Sequence, residues 1–154
     1  MAVNSMSPVT GQIRVEASRE TIFPFLIEPE KMVRWMGLQA QAEAEPGGLY
    51  RVVVNDANTA RGEFVEIDPP NKVIFTWGWE EAGGSVAPGE STVEISLEED
   101  GDATLVRLTH MGLPTEESRE RHAHGWHHYM PRLAEVAAGR DPGPDEFHNA
   151  NRED

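Results

Sequence analysis

The sequence predicts an α+β fold in which a curved antiparallel sheet of about seven strands wraps around one long C-terminal helix. Residues 116–138 carry apolar side chains at helical spacing, and a helix of about 23 residues is roughly 35 Å long. Most of the chain before this segment alternates apolar and polar residues with the period of two that is typical of strands. A short sheet cannot bury its concave face against itself, so the apolar stripe of the helix is predicted to cover that face.

The long helix has clear start and stop signals. Thr115 follows Pro114 and can cap the first turn, where the carboxylates of Glu116 and Glu117 are favoured. Gly139 is a suitable C-terminal stop. At 100° per residue, one side of the helix collects the side chains predicted to face the sheet, namely His122, Trp126, Tyr129, Met130, Leu133 and Ala137.

The N-terminal part predicts one strand followed by two short helices. Alternation over residues 12–17 indicates the strand, and Ser18 can cap a helix over residues 19–27. Pro24 interrupts this helix, so it should be short or kinked. A second short helix is predicted over residues 29–37, beginning with a proline and ending with a glycine.

The middle of the chain predicts six further strands separated by turn residues. The clearest hairpin has the turn Asp68-Pro69-Pro70-Asn71, and another has Asp100-Gly101-Asp102. The predicted strands cover residues 38–45, 49–55, 60–68, 72–80, 91–99 and 103–110.

The 154 residues are predicted to form one domain with two tails. Residues 1–10 have little pattern and are expected to be a flexible leader. Residues 11–138 form the single domain. Residues 139–154 are polar and acidic, contain proline and glycine, and are expected to be a flexible tail.

Composition excludes several classes of function. The formal charge of −14 repels phosphate backbones and anionic lipid surfaces, so neither nucleic acid nor membrane is an expected partner. The chain contains no cysteine, which excludes disulfides and thiolate metal sites. No apolar run reaches the ~20 residues of a membrane span, and the first residues lack the pattern of a signal peptide. The expected location is the cytoplasm.

Several motifs together resemble one known superfamily. They are WMG at 35–37, GGLYR at 47–51, GEFVEIDPPNKVIFTW at 62–77, LTHMGLP at 108–114 and GW at 125–126. This set, with the order of elements, resembles the SRPBCC (START-like) superfamily over residues 11–138. The most similar branch is the one named after the C-terminal domain of the heat-shock-protein-90 ATPase activator.

The resemblance implies the helix-grip fold, with a hydrophobic cavity between the sheet and the long helix. It implies little about activity, because the superfamily holds lipid carriers, polyketide cyclases and co-chaperone domains.

The predicted interior is aromatic near one end. Phe75 and Trp77 share one strand face, and Trp126 and Tyr129 lie on the inward face of the helix. These rings either fill the core or line a pocket for an apolar or aromatic ligand. His110, His122 and the Tyr129 hydroxyl would be its polar points. The predicted ligand-binding residues are Trp35, Tyr50, Phe75, Trp77, Ile95, Leu108, His110, His122, Trp126, Tyr129 and Met130.

The run HAHGWHH at 122–128 raises the question of a metal site. His124 and His128 are spaced i, i+4, which can chelate a divalent ion. They face away from the predicted sheet, however, and no third ligand lies nearby in the sequence. We therefore predict no functional metal and no cofactor.

Three functions remain open at this point. The favoured one is a carrier or sensor that binds a small hydrophobic or aromatic molecule in the cavity. A second is a protein-interaction module resembling the chaperone ATPase activator domain. A third is a cyclase-like or hydrolase-like enzyme that uses His110 and His122 as an acid–base pair, although two histidines are too few to assign catalytic residues.

Overall fold

The structure is a computed structural model that describes residues 7–81 and 86–145. It confirms the predicted α+β fold, a curved seven-stranded antiparallel sheet with short helices after the first strand and a long helix at the end. The elements in chain order are β1 Val9–Val15, α1 Arg19–Ile22, α2 Pro24–Ile27, α3 Pro29–Met32, β2 Gln39–Ala42, β3 Leu49–Val53, β4 Thr59–Asp68, β5 Lys72–Trp77, β6 Ser91–Asp100, β7 Ala103–Met111 and α4 Glu116–Ala137.

The strands form one sheet in the order β1-β7-β6-β5-β4-β3-β2. Strands β2 to β7 each pair with their neighbours in the chain, as short turns between antiparallel strands allow. β1 is the exception, because it pairs with β7 and places Val9 opposite His110 and Val15 opposite Thr104. The first strand of the chain therefore lies beside the last one.

The helix α4 begins and packs as the sequence predicts. The Thr115 hydroxyl oxygen accepts a hydrogen bond from the Ser118 backbone N–H at 3.0 Å. The helix then runs without interruption through Pro131. It packs against β1 at a position where the strand has no side chain, since a Cβ on Gly11 would lie 3.0 Å from Met130 Sδ. The buried residues of α4 include all six that were predicted to face the sheet.

The short helices and several strands have different bounds from those predicted. The first predicted helix is divided at Pro24 into α1 and α2, because a proline cannot continue the hydrogen-bond ladder. The second ends at Met32 and continues to Met36 only as turns, with the Met36 N–H bonded to the Met32 carbonyl at 3.0 Å. β1 begins at Val9, inside the predicted leader, and β5 ends at Trp77, three residues before the predicted end.

The described part of the predicted C-terminal tail packs against the domain. The Arg132 guanidinium donates to the carbonyl oxygens of Pro142, Gly143 and Pro144 at 3.0–3.4 Å, and to the Trp35 carbonyl at 3.1 Å. Asp145 is buried. Residues 142–145 of the expected flexible tail therefore lie against the domain, and residues 146–154 lie outside the described part.

Ion pairs cover parts of the outer face of the sheet. The Glu80 carboxylate accepts from Arg51 at 2.7 Å and from Arg61 at 3.3 Å, which lowers the pKa of Glu80. Arg107 pairs with Glu98 on neighbouring strands. These groups are partly exposed, so each pair adds little stability. No helix in the described ranges is long and apolar enough to cross a membrane.

The Trp126 side chain is 5% exposed, so we predict that Trp126→Ala lowers the free energy of unfolding by about 3–5 kcal/mol through lost burial and a residual cavity. Urea denaturation followed by circular dichroism measures this. His127→Ala is the control, because His127 is exposed on the same helix and should change stability by less than about 0.5 kcal/mol. A loss below about 1 kcal/mol for Trp126→Ala would contradict the helix register.

Candidate functional site

The candidate site lies where β5, β6 and β7 meet the inner face of α4. Trp77 is the last residue of β5 and pairs with Ser91, the first residue of β6. Further along β6, Val93 pairs with His110 of β7. These residues share the inward-facing register of their strands, and all four are buried. The antiparallel register therefore brings Trp77, Ser91 and His110 together from distant parts of the chain.

Trp77 is the centre of a cluster of aromatic rings. Its ring centroid lies 5.2 Å from that of Trp126, 5.4 Å from Trp79 and 5.9 Å from His110. The distance to His122 is 6.5 Å. These separations and tilted or edge-on geometries are favourable for aromatic pairs. We call Trp77, Trp79, His110, His122 and Trp126 the ring cluster.

His110 is held by hydrogen bonds at both ring nitrogens. Its Nδ1 accepts from the Trp126 indole N–H at 3.0 Å, so Nδ1 carries no proton. Its Nε2 lies 2.9 Å from Ser91 Oγ, and the Ser91 hydroxyl donates to the Trp77 carbonyl oxygen at 2.7 Å. The arrangement that satisfies all three contacts has a proton on Nε2, which donates to Ser91 Oγ.

His122 is the other neutral tautomer, and both of its ring nitrogens are also hydrogen-bonded. Its Nε2 accepts from the Trp79 indole N–H at 3.1 Å. Its Nδ1 lies 2.7 Å from the Ser118 carbonyl oxygen, so Nδ1 carries the proton and donates it. The two imidazole rings meet edge to face with centroids 5.0 Å apart. Both rings are therefore neutral, and both of their lone pairs are occupied by indole N–H groups.

This arrangement does not suit acid–base chemistry. A general base needs a free lone pair within reach of the substrate proton, and each histidine uses its lone pair for a tryptophan. Ser91 is not activated as a nucleophile, because His110 donates to it and cannot remove its proton. Burial lowers the pKa of His110 from 6.5 to about 3, with a further contribution from His122. Burial also lowers the pKa of His122.

The low pKa of His110 predicts that the protein loses stability as the pH falls below about 6.5. The denatured chain binds a proton at this histidine below that pH, while the native state excludes the proton until about pH 3. The free energy of unfolding should therefore fall by about 1.4 kcal/mol per pH unit for this residue. His122 adds to the slope in the same direction, since its pKa is also lowered.

Urea denaturation at pH 7.5, 6 and 5 measures how the free energy of unfolding changes with pH in the wild type and in His110→Gln. The slope should be smaller in His110→Gln, because the contribution of His110 is lost. Thr109→Gln is the matched control, because Thr109 is the adjacent residue of β7 and lies outside the buried core. An equal slope in His110→Gln and the wild type would show that His110 titrates normally in the native state.

The other predicted binding residues are buried in the same core but at different places. Tyr50 stacks on Phe75 with centroids 4.0 Å apart, and burial raises the pKa of Tyr50. Ile95, Leu108 and Met130 are also buried in this core. Trp35 lies among the short helices, where its indole N–H donates to the Phe25 carbonyl at 2.9 Å. The ring of Tyr129 packs against that of His128 at 4.7 Å.

Sequence reasoning missed three contributors to the site. Ser91 and Ser118 complete the hydrogen bonding of the two histidines, and Phe64 packs edge-on against Tyr50 at 5.6 Å. The spacing Ser118–His122 is i, i+4, so a contact on one helix face could have been predicted. The partnership of Ser91 with His110 could not, because it depends on the register between β6 and β7.

The histidines on the far side of α4 are not equivalent. His124 is exposed, as predicted. His128 is half-buried, and its Nε2 lies 2.8 Å from the buried Asp145 Oδ1. His128 thus faces away from the sheet, and the chain after α4 returns to cover it. Within residues 7–81 and 86–145, no three His, Asp or Glu side chains are grouped so that they could hold a metal.

We predict that His128→Ala lowers the free energy of unfolding by about 1 kcal/mol, because it removes a hydrogen-bond partner of a buried carboxylate. His124→Ala, one turn earlier and exposed, should change it by less than about 0.5 kcal/mol. Urea denaturation at pH 7 compares the two variants. Equal stability of the two would contradict a structural role for the contact between His128 and Asp145.

A surface depression of about 330 Å³ lies apart from this cluster. Outward-facing residues of β4 and β5 line part of it, among them Arg61, Glu63 and Thr76. Its remaining lining consists of three glycines with Glu43, Leu49 and Pro88. It lacks the apolar walls expected for a hydrophobic ligand.

Comparison with known proteins identifies the family. The sequence profile described as "Activator of Hsp90 ATPase homolog 1-like protein" matches residues 16–138. The chain belongs to this family. It is part of the SRPBCC superfamily, as the motifs predicted. No curated protein sequence matches the chain.

Three solved structures illustrate the likeness. An AHSA1-like protein from Rhizobium etli is 48% identical, with a TM-score of 0.72, and the match covers 92% of this chain and 88% of that one. The Aha1 dimer from Colwellia psychrerythraea is 16% identical, with a TM-score of 0.76 and coverage of 86% and 97%. An HSP90 activator from Plasmodium falciparum is 21% identical, with a TM-score of 0.68 and coverage of 87% and 97%. The last two share the fold alone.

Proposed function

We propose that this protein binds a small hydrophobic or aromatic molecule between the inner face of the sheet and α4, as a cytoplasmic carrier or sensor. The observation that carries the proposal is the ring cluster. Three indoles and two imidazoles meet there, and both imidazoles are neutral. Flat, uncharged walls of this kind suit a flat, largely apolar ligand.

The position of Trp79 supports access to this site. Trp79 lies beyond the end of β5, where an isolated bridge joins it to Ala60, and its side chain is only partly buried. Its ring packs against that of His122 with centroids 5.8 Å apart. The ring cluster therefore extends from the buried Trp126 to the protein surface at Trp79. We infer that a ligand enters beside Trp79 and His122.

The hydrogen bonds of the cluster favour binding over catalysis. His110 and His122 each hold one tryptophan in place, so their role in the proposed site is to orient the walls. Covering about 200 Å² of apolar ligand surface contributes near 5 kcal/mol at about 25 cal/mol per Å², before the costs of association. A gain of about 5 kcal/mol corresponds to a dissociation constant of roughly 0.2 mM, which argues for weak rather than nanomolar binding.

A screen of fatty acids, flavonoids and polycyclic aromatics, read by quenching of tryptophan fluorescence, tests the proposal. We expect dissociation constants of about 0.1–1 mM for flat aromatic compounds. Leu108→Phe should weaken binding, because Leu108 is buried on the inner face of β7 and a larger side chain takes space from a ligand. Thr109→Phe is the matched control, one residue further along the strand.

Three other results would contradict the carrier function. If nothing binds below millimolar concentration, the rings serve only to fill the core. Turnover of a bound compound that is lost in His110→Gln or His122→Gln would make the protein an enzyme. A stoichiometric complex with a chaperone ATPase, without any small ligand, would support the protein-interaction module instead.

A further inference from the structure

One buried donor in the ring cluster has no partner. The Trp77 side chain is 3% exposed, and its indole Nε1–H makes no hydrogen bond within the described ranges 7–81 and 86–145. The other three tryptophans of the sequence all donate, Trp35 to the Phe25 carbonyl, Trp79 to His122 and Trp126 to His110, at 2.9–3.1 Å. Trp77 therefore differs from every other indole in the protein.

An unpaired buried N–H is unusual because its desolvation is not compensated. The two imidazole lone pairs of the ring cluster are already in use. His110 Nδ1 and His122 Nε2 accept from the two other indoles of the cluster, and the Trp77 carbonyl accepts from Ser91. A phenylalanine could supply most of the same packing without the unpaired donor. Within the described ranges, the hydrogen-bonding capacity of the Trp77 indole is thus available for an acceptor on a ligand.

The surroundings restrict the charge of that acceptor. No Lys or Arg belongs to the ring cluster, and both imidazoles in it are neutral, with their protons on the nitrogens that donate to Ser91 and Ser118. Burying a carboxylate among these rings would leave its charge uncompensated, which is far more costly than burying a carbonyl or ether oxygen. A hydrocarbon, in contrast, would leave the Trp77 N–H unpaired.

We propose that Trp77 is the specificity-determining residue of the site, and that its indole N–H donates a hydrogen bond to an uncharged oxygen acceptor, such as a ketone carbonyl, on a flat apolar ligand. This inference rests on the proposed ligand-binding function. It narrows the ligand class to neutral, oxygen-bearing aromatic compounds and disfavours ionised fatty acids and pure hydrocarbons.

The test compares two probes that differ in one group. 1-Tetralone and tetralin share a bicyclic skeleton, and a carbonyl in the first replaces a CH₂ in the second. Isothermal titration calorimetry gives the ratio of their dissociation constants in the wild type, in Trp77→Phe and in Thr109→Val. Trp77→Phe should reduce the preference for tetralone over tetralin about tenfold, since one hydrogen bond to a buried donor is lost.

Thr109→Val is the control. It removes a side-chain donor of β7 that lies outside the buried core and the ring cluster, so the preference should stay within about twofold. A second measurement avoids dependence on the variants. In ¹H–¹⁵N spectra of the wild type, tetralone should move the Trp77 indole proton signal downfield, as expected for a new hydrogen bond, and tetralin should not.

The outcomes separate the two proposals. Both probes could bind while Trp77→Phe leaves the ratio of their dissociation constants unchanged and tetralone does not move the indole signal. That result would show that Trp77 does not determine specificity, and the proposed binding function would stand. If neither probe binds, the binding function fails and this inference fails with it. If Trp77→Phe does not fold, the indole signal of the wild type decides.

Discussion

Burial of the apolar side of α4 against the inner face of the sheet is the contact on which the structure depends. The helix is 22 residues long, and it packs against β1 at one edge of the sheet while its Trp126 reaches Trp77 at the end of β5. Neither surface could remain in water without a large loss of hydrophobic free energy. The pairing of β1 with β7 follows from the same requirement, because it widens the sheet under the helix.

The contact between α4 and the sheet also buries polar atoms of the histidines and tryptophans, and most of these atoms form hydrogen bonds with one another. Each imidazole accepts from one indole and donates to a serine hydroxyl or a backbone carbonyl. In a low-dielectric interior, such neutral bonds are strong and unpaired groups are costly. The five aromatic rings therefore hold one relative orientation, which liquid-like apolar packing alone would not impose. Trp77 is the one indole left outside this pairing within the described residues.

Membership of the family establishes the fold and leaves the function to be argued from this site. Proteins of one fold often differ in what they bind, because function resides in particular side chains. Here the histidines that first suggest catalysis are occupied by tryptophans, and the indole that first suggests simple packing has free hydrogen-bonding capacity. The ring cluster is thus a neutral aromatic surface with one unpaired indole donor, and the proposed binding function rests on that chemistry.

The order of elements, the cap at Thr115 and the inward face of α4 can be predicted from the amino-acid pattern, because periodicity and capping depend on residues close together in the chain. The same pattern puts Phe75, Trp77, His110 and Trp126 on facing surfaces. Which polar atoms pair, in contrast, is seen only in the folded protein. The bonds of His110 to Ser91 and Trp126, and the return of Asp145 to His128, join positions 16 to 19 residues apart. Such partnerships depend on strand register and on the path of the chain after the helix, which no local pattern encodes.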